Sequence, residues 1–131
     1  ETLSKVIKRQ GILILISDFL APVSSFSKPF KLAAKKFDLI PVVIQDKLEK
    51  FIPPVSACID VTDPETGEED FLCLSSGELN VALAEHAEHQ NINLRALFNP
   101  YKIEPVYVRT DQAPADPVIA FFKQRAKKIR K

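Results

Sequence analysis

The chain has 131 residues, of which 46% are apolar and 27% are charged. This length fits one domain, and this composition excludes an intrinsically disordered chain. The net charge of +1 offers no argument for binding nucleic acid. The longest apolar run, residues 12–16, is too short to cross a bilayer, so we expect neither a membrane segment nor a signal peptide in this chain. Met is absent, which indicates a piece of a longer protein.

The first predicted elements are a helix, a strand and a second helix. Residues 2–10 carry apolar side chains on one helical face and are followed by Gly11, a typical helix stop. Residues 12–16 form a continuous apolar run, which is typical of a strand buried on both faces. Residues 27–37 have apolar side chains at helical spacing with lysines between them, which predicts a short amphipathic helix.

A second buried strand, a helical turn and a β-hairpin follow. The strand is predicted over residues 39–44 and the helical turn over residues 47–51. The hairpin is expected at about residues 55–75, because two strand-like runs flank a turn rich in Asp, Pro and Gly. A coherent hairpin register places Cys58 opposite Cys73. Those residues then form either a disulfide or two small buried thiols, and a reducing compartment favours the thiols.

The remaining predicted elements are a long helix, a third strand and a basic helix. The helix is expected from about residue 76 to residue 98, and the strand over residues 103–108. Asp116 is the expected N-cap of the last helix. Strands that alternate with helices predict an α/β fold with three layers. Its parallel half-sheet carries helices on both faces, and the hairpin is an insertion.

Each predicted parallel strand ends in an acidic residue, namely Asp18, Asp46 or Asp111. The carboxyl ends of parallel strands share one rim of the sheet, where ligands bind in open α/β folds. Carboxylates with neighbouring hydroxyls, such as those of Ser17 and Thr110, supply the oxygen ligands that Mg²⁺ prefers. The alternative interpretation is that these residues are ordinary turn formers after strands.

Three segments carry a resemblance to a known family. They are residues 14–20 (Ile-Leu-Ile-Ser-Asp-Phe-Leu), residues 40–46 with Glu49 and Pro53 nearby, and residues 63–68 (Asp-Pro-Glu-Thr-Gly-Glu). Together they resemble the bacterial proteins grouped as domain-of-unknown-function family fifty-eight, whose core is similar to a von Willebrand factor type A (vWA) domain. The resemblance implies that residues 1–131 are the C-terminal part of a single vWA-like, Rossmann-like domain.

The vWA resemblance implies part of a metal-ion-dependent adhesion site (MIDAS). In that family one strand supplies Asp-x-Ser-x-Ser, a loop supplies Thr, and a further strand ends in Thr-Asp-Gly. Ser17 and Asp18 match the last of these, with Phe19 in place of the Gly. The other two motifs have no match, so no cofactor is expected in this chain and Mg²⁺ is expected only in the longer parent. Asp46, Glu49, Thr110 and Asp111 are further candidates at the rim.

The function expected from this resemblance is non-catalytic protein binding. Related vWA proteins are partners of MoxR-type AAA+ ATPases in chaperone-like assembly systems, which implies such an ATPase as a partner. The chain is expected in the cytoplasm, and the parent could carry a membrane anchor elsewhere. The open edge of the strand at residues 12–16 predicts self-association. The alternative hypothesis is a metal-dependent phosphoryl or phosphodiester hydrolase that uses the strand-end aspartates.

His86 and His89 are spaced by one helical turn, which raises the question of a metal site. No third ligand accompanies them, and the placement of the Glu between them is not that of a metalloprotease helix. We therefore predict that both belong to an exposed polar helix face.

Overall fold

The computed structural model describes residues 11–53, 55–63, 66–74 and 77–129. This part of the chain is a mixed α/β structure with a parallel three-stranded sheet and three helices. The elements in chain order are β1 (Ile12–Ser17), α1 (Val23–Lys36), β2 (Asp38–Gln45), β3 (Cys58–Thr62), β4 (Glu69–Cys73), α2 (Gly77–Phe98), a 3-10 turn (Asn99–Tyr101), β5 (Val106–Arg109) and α3 (Ala115–Ile129). The helix predicted over residues 2–10 lies outside the described residues.

The chain divides into two compact units. The described residues up to Asp46 and from Gln90 onwards form the first, here called the sheet unit, and Lys47–His89 forms the second, the hairpin unit. None of the helices in the described ranges is long and apolar enough to cross a membrane.

The parallel sheet has the strand order β1-β2-β5. Ile14 lies opposite Ile40 in the first pair, and Val42 lies opposite Val106 in the second. The central strand β2 is buried along most of its length, as its continuous apolar sequence predicted.

Pro41 lies inside the central strand, a position that proline usually avoids because it has no N–H to donate. Gln45, four residues later, accepts a hydrogen bond from the Thr110 N–H on the β5 side. Residues of a strand alternate in the side to which their N–H and C=O groups point, so Pro41 also faces the β5 side. Pairing with β5 begins only at Val42. The missing N–H therefore removes no bond from the sheet.

Two apolar clusters hold helices against the sheet. In the first, the rings of Phe19 and Phe30 contact Phe98, with centroids 6.1 and 5.3 Å away, above alternate β2 residues. In the second, Ile40 packs with residues of β5 and α3. The first cluster contains Phe19, Phe30, Leu39, Val43, Leu94, Leu97 and Phe98, and the second contains Ile40, Val106 and Val108 with Val118 and Phe121 beside them.

The prediction that β1 is buried on both faces is wrong. Ile12, Ile14 and Ile16, here called the edge isoleucines, are 64%, 49% and 64% exposed. Leu13 and Leu15 alternate with them and are half-buried beside the first cluster. The reason is that β1 lies at the edge of the sheet, and no helix among the described residues covers the isoleucine face.

The β-hairpin forms in the predicted register, with Cys58 opposite Cys73. The preference for two buried thiols is wrong, because both residues are exposed and they form a disulfide. In the neighbouring pair of the ladder, Ala57 and Leu74, the Leu74 N–H donates a hydrogen bond to the Ala57 carbonyl. Bonded and non-bonded pairs alternate along an antiparallel ladder, so Cys58 and Cys73 form a non-bonded pair. Such pairs are the closer ones, and here the Cα atoms are 4.1 Å apart.

Several predicted boundaries shift. Helix α1 begins at Val23 rather than residue 27, because Phe26 also packs on the first cluster, against the ring of Phe19 at 5.6 Å. Strand β5 begins at Val106, after Pro105. Helix α3 begins at Ala115, one residue before the predicted cap Asp116. The shift of one residue at α3 is within the usual variation of helix ends.

Candidate functional site

The strand ends predicted to carry function lie at one rim of the sheet unit. Ser17 ends β1, Asp46 follows β2, and Thr110 and Asp111 follow β5. Since β2 lies between β1 and β5, Asp46 has the central place at this rim. Glu49, the remaining candidate, belongs to the hairpin unit.

The end of β1 is a tight turn held by its own polar side chains. The Phe19 N–H donates to Ser17 Oγ at 3.0 Å, and the Leu20 N–H donates to Asp18 Oδ1 at 3.3 Å. Gln90 Nε2 donates to the carbonyl oxygens of Phe19 and Leu20, both at 3.0 Å. Ser17 and Asp18 therefore satisfy main-chain donors of the turn, which is the role of ordinary turn formers.

Phe19 adopts a backbone conformation that usually belongs to glycine. Its φ angle is +56°, in the left-handed region, and its side chain is only 4% exposed. Here a residue whose ring fills the core adopts the conformation that glycine reaches most readily. The left-handed conformation costs about 1–2 kcal/mol for a residue with a Cβ. Burial of the ring offsets that cost.

The polar side chains at the ends of β2 and β5 are held by direct contacts, one of which joins the two strands. The Thr110 hydroxyl donates to Asp46 Oδ2 at 2.6 Å. The Arg109 guanidinium binds both oxygens of Asp111, with Nε–Oδ1 at 2.9 Å and Nη2–Oδ2 at 2.6 Å. Each carboxylate at this end of the rim thus has a donor from the same chain.

The rim residues do not assemble a cation site by themselves. The described ranges contain no group of three or more His, Cys, Asp or Glu side chains that could hold a metal ion. Mg²⁺ needs near-octahedral oxygen ligands. Ser17 and Asp18 offer two neighbouring side chains that already accept main-chain N–H groups, and Asp111 is paired with Arg109. These residues alone do not fit a divalent cation, and a metal at Ser17 and Asp18 stays a prediction about a longer protein.

His86 and His89 lie on the exposed side of α2, as predicted. Both belong to the hairpin unit and take part in no metal-binding group among the described residues.

The free edge of β1 is the second candidate site, and hydrogen bonding determines which residues present it. The Asp38 N–H donates to the Gly11 carbonyl at 3.0 Å, so Gly11 faces β2. Because N–H and C=O groups alternate in direction along a strand, Leu13 and Leu15 also face β2, and the three edge isoleucines face away. In the described part of the chain, no strand pairs with that outer side. The edge isoleucines therefore present their main-chain groups as well as their side chains.

The opposite face of β1 opens into an apolar groove of about 360 Å³. Leu13 and Leu15 line it from the strand, and Phe26, Pro29 and Ala33 line it from α1. The edge of β1 is thus flanked by exposed isoleucines on one face and by this groove on the other. Sequence reasoning predicted the open edge but missed the exposure of the isoleucines and the groove, because both depend on where the helices lie.

The comparisons with known proteins give one match. The family model described as DUF58, protein of unknown function, matches residues 1–93. No curated protein and no solved structure shows a significant match to the chain.

Proposed function

The chain belongs to the DUF58 family, whose function is unknown, and from that premise we propose that it is a protein-binding module. Its binding surface is the edge of β1, and its ligand is an extended strand that is apolar on both faces. The observation that carries this proposal is the outward direction of the main-chain groups of the three edge isoleucines, between two apolar surfaces.

An open strand edge binds other strands because its N–H and C=O groups lack protein partners. Natural sheets protect such edges with lysine, proline, a bulge or a covering loop. Residues 12–16 contain neither a charge nor a proline. Strand addition supplies main-chain hydrogen bonds, and the surfaces on either side select the alternating side chains. An apolar strand would bury the edge isoleucines on one face and fill the groove on the other.

The side chains at the rim give less support for a binding site than the edge of β1 does. Their support for catalysis is weaker still. Asp46 accepts a hydrogen bond from Thr110, and Asp111 is held by Arg109. Neither contact leaves an evident general base beside a free nucleophile. Hydrolysis of a phosphate ester with added Mg²⁺, lost in Asp18→Asn, would replace the binding proposal by the hydrolase alternative.

The finer features of the proposal rest on the family resemblance. We propose a vWA-like, Rossmann-like arrangement of three layers, of which this chain is the C-terminal part. The resemblance of residues 14–20 to the end of a MIDAS strand and the parallel order β1-β2-β5 support it. A MoxR-type AAA+ ATPase is the proposed partner at the level of the parent protein. Measured binding of such an ATPase, weakened in Ile14→Lys and retained in Leu32→Lys, would support this partner, and no binding would exclude it.

The proposed cytoplasmic location predicts the redox state of the two cysteines in the hairpin unit. Cytosolic thiols are kept reduced, so the bond between Cys58 and Cys73 would be open there. Alkylation of both thiols in cells before lysis would support that location. A chain that resists alkylation would place it in an oxidising compartment.

The binding proposal is tested with an apolar strand peptide and amide hydrogen exchange. The probe is a synthetic peptide with Ile-Leu-Ile-Leu-Ile between lysine pairs, N-methylated at the leucines so that only one peptide edge can pair. Without peptide, the amides of Leu13 and Leu15 exchange slowly because they face β2, whereas those of the edge isoleucines exchange fast. Bound peptide should slow exchange at Ile12, Ile14 and Ile16 and leave Leu13 and Leu15 unchanged. Protection elsewhere, or none, would refute the proposal.

A further inference from the structure

We propose that a cavity at the amino end of the central strand β2 binds the carboxyl end of a peptide whose last residue is apolar. The cavity has a volume of about 360 Å³, and its lining residues come from the end of α1, the start of β2, residues 101–104 and α3. This inference goes beyond the proposed function, because it concerns the β5 side of β2 and does not depend on the edge of β1.

The cavity exists because β2 begins several residues before its pairing with β5. Strand β2 begins at Asp38, whereas the pairing with β5 begins only at Val42. Within the described ranges, no strand lies on that side of the first residues of β2, and residues 101–104 and α3 enclose the space instead. The lining residues that the structure describes include none from β1. A further strand beside β1 would therefore leave this cavity unchanged.

Leu39 turns its main-chain groups towards this space. The Asp38 N–H donates to Gly11 on the β1 side, and main-chain groups alternate in direction along a strand, so the N–H and C=O groups of Leu39 face the β5 side. No hydrogen bond among the described residues uses either group there, although Leu39 is only 5% exposed. Buried main-chain groups almost always have a partner, either in the protein or in a bound molecule. The cavity therefore offers one donor and one acceptor to a ligand.

The start of β2 presents a single main-chain donor on the cavity side. Leu39 and Pro41 both face the β5 side, and proline has no N–H. An extended peptide that continued along the strand would find no second donor there. The volume of about 360 Å³ is also close to the lower limit of ligand sites, which is about 300 Å³. Both observations favour the end of a chain over a long segment.

The charged side chains of the cavity leave one positive charge uncompensated. Arg125 Nη2 binds both oxygens of Asp38, at 2.7 and 2.8 Å, and Lys128 pairs with Glu104. Lys102 also lines the cavity, and in the described part of the chain its side chain takes part in no ion pair or hydrogen bond. The two ion pairs are neutral, so Lys102 sets the charge of the site. A ligand with one negative charge complements it.

Lys102 adopts a backbone conformation that suits glycine or asparagine. Its φ angle is +54°, and its N–H donates to the Asn99 carbonyl at 3.0 Å, which closes the 3-10 turn. At Phe19, which has a similar φ angle, burial of the ring offsets the cost. The side chain of Lys102 is exposed, so burial does not offset the cost there. A strained residue that packing does not require is typical of a functional site.

The last residue of a peptide supplies each group that complements the cavity. Its carboxylate carries one negative charge and accepts hydrogen bonds, which suits Lys102 and the Leu39 N–H. Its amide N–H is a donor for the Leu39 carbonyl. An apolar side chain would contact Phe37, Ile103 and Phe121, which line the cavity. Capture of a terminal carboxylate by main-chain N–H groups is an established mode of peptide recognition.

Amide NMR of the 131-residue chain tests the site. The probe is acetyl-Gly-Gly-Phe with a free carboxylate, and the matched controls are its C-terminal amide and acetyl-Gly-Gly-Ala. The free acid should shift the Leu39 amide signal in a saturable way, with a Kd of about 1 mM or lower. The amide lacks the charge that Lys102 binds, and the alanine peptide lacks the ring. Each control should therefore bind at least about tenfold more weakly than the probe.

Substitutions of Lys102 separate binding from folding. Lys102→Asn removes the charge and suits the left-handed conformation, so it should weaken binding of the probe at least about tenfold. Its midpoint of urea unfolding, followed by circular dichroism, should be unchanged or higher. Lys102→Arg keeps the charge and should retain affinity within about threefold. Lys123→Gln removes a positive charge outside the cavity and should leave affinity unchanged. A purely structural role for Lys102 would not weaken binding while stability is kept.

Three results would overturn the inference. Binding of the C-terminal amide or the alanine peptide as tightly as the probe would exclude recognition of an apolar chain end. Unchanged affinity of Lys102→Asn would remove this lysine from the site. Amide shifts that are absent at about 10 mM probe, or that centre on the edge isoleucines instead of Leu39, would show that the cavity is not the binding site.

Discussion

Phe19 supports the sharpest prediction, because its backbone conformation favours glycine whereas its buried position favours a large apolar side chain. A glycine there would relieve the left-handed conformation at φ +56°. It would also remove a ring that is 4% exposed and contacts Phe26 and Phe98. We compare Phe19→Gly with Phe19→Ala, since both remove the ring and only alanine keeps a Cβ.

The expected magnitudes follow from these two demands. Loss of a buried Phe ring costs about 3–5 kcal/mol of the free energy of unfolding. Alanine keeps the left-handed cost of about 1–2 kcal/mol, which glycine avoids. Glycine loses about 0.5–1 kcal/mol through the greater freedom of its unfolded chain. Both variants should therefore be less stable than the parent chain, with Phe19→Gly more stable than Phe19→Ala by about 0–1.5 kcal/mol.

The assay is urea unfolding followed by tyrosine fluorescence. Tyr101 and Tyr107 are the only tyrosines, and both lie in the sheet unit with Phe19. Val43 provides a matched control, because it is 2% exposed and lies in the extended strand β2. There the order should reverse, with Val43→Gly less stable than Val43→Ala.

Two outcomes would refute the reasoning. If Phe19→Gly were less stable than Phe19→Ala, the left-handed conformation would carry no measurable cost at this turn. If both substitutions at Phe19 changed the free energy of unfolding by less than about 1 kcal/mol, the ring would not belong to the core. The control at Val43 shows whether the measurement resolves a difference of this size.

Three further predictions concern contacts that support the two units. Gln90→Ala removes two hydrogen bonds at the β1 turn and should lower the stability of the sheet unit by about 1–2 kcal/mol in the same urea assay. An unchanged midpoint of urea unfolding would show that water replaces these hydrogen bonds. Reduction of the Cys58–Cys73 disulfide opens a loop with a sequence separation of 15 and should destabilise the hairpin unit by about 3 kcal/mol. Hairpin amides should then exchange faster while tyrosine fluorescence stays the same. A change in tyrosine fluorescence would contradict the expectation that the sheet unit is unaffected. Asp38→Asn breaks the ion pair between Asp38, which is 47% exposed, and Arg125, which is 31% exposed. The substitution should lower the free energy of unfolding by less than about 1 kcal/mol. A larger loss would mean that solvent screens the pair less than its exposure implies.

The hairpin unit has no buried apolar side chain among the residues whose burial the structure describes, which explains why the disulfide matters to it. Every buried apolar residue among the described ones belongs to the sheet unit. The hairpin unit depends instead on the β3–β4 ladder and on local contacts. One such contact is the pair of hydrogen bonds between Asn80 and the main chain of Ile52, at 2.8 and 3.0 Å. A small unit that buries little apolar surface relies on cross-links for its stability.

The sequence by itself determined the types and order of most elements and the hairpin register. Apolar runs and turn residues are local signals, so they predicted the central strand and placed Cys58 opposite Cys73 without reference to the rest of the chain. The same signals predicted the parallel sheet and the strand ends that carry Asp18, Asp46 and Asp111.

Tertiary structure alone decided which surfaces are covered and which polar groups meet. The edge isoleucines match a buried strand in sequence, but they are exposed because no described helix lies over them. Asp46 has Thr110 as a partner because two strands distant in sequence are neighbours in the sheet. Phe19 accepts a glycine-like conformation because its ring reaches a core built from α1 and α2. A sequence pattern records the preferences of each segment, whereas coverage, pairing and strain depend on contacts between distant segments.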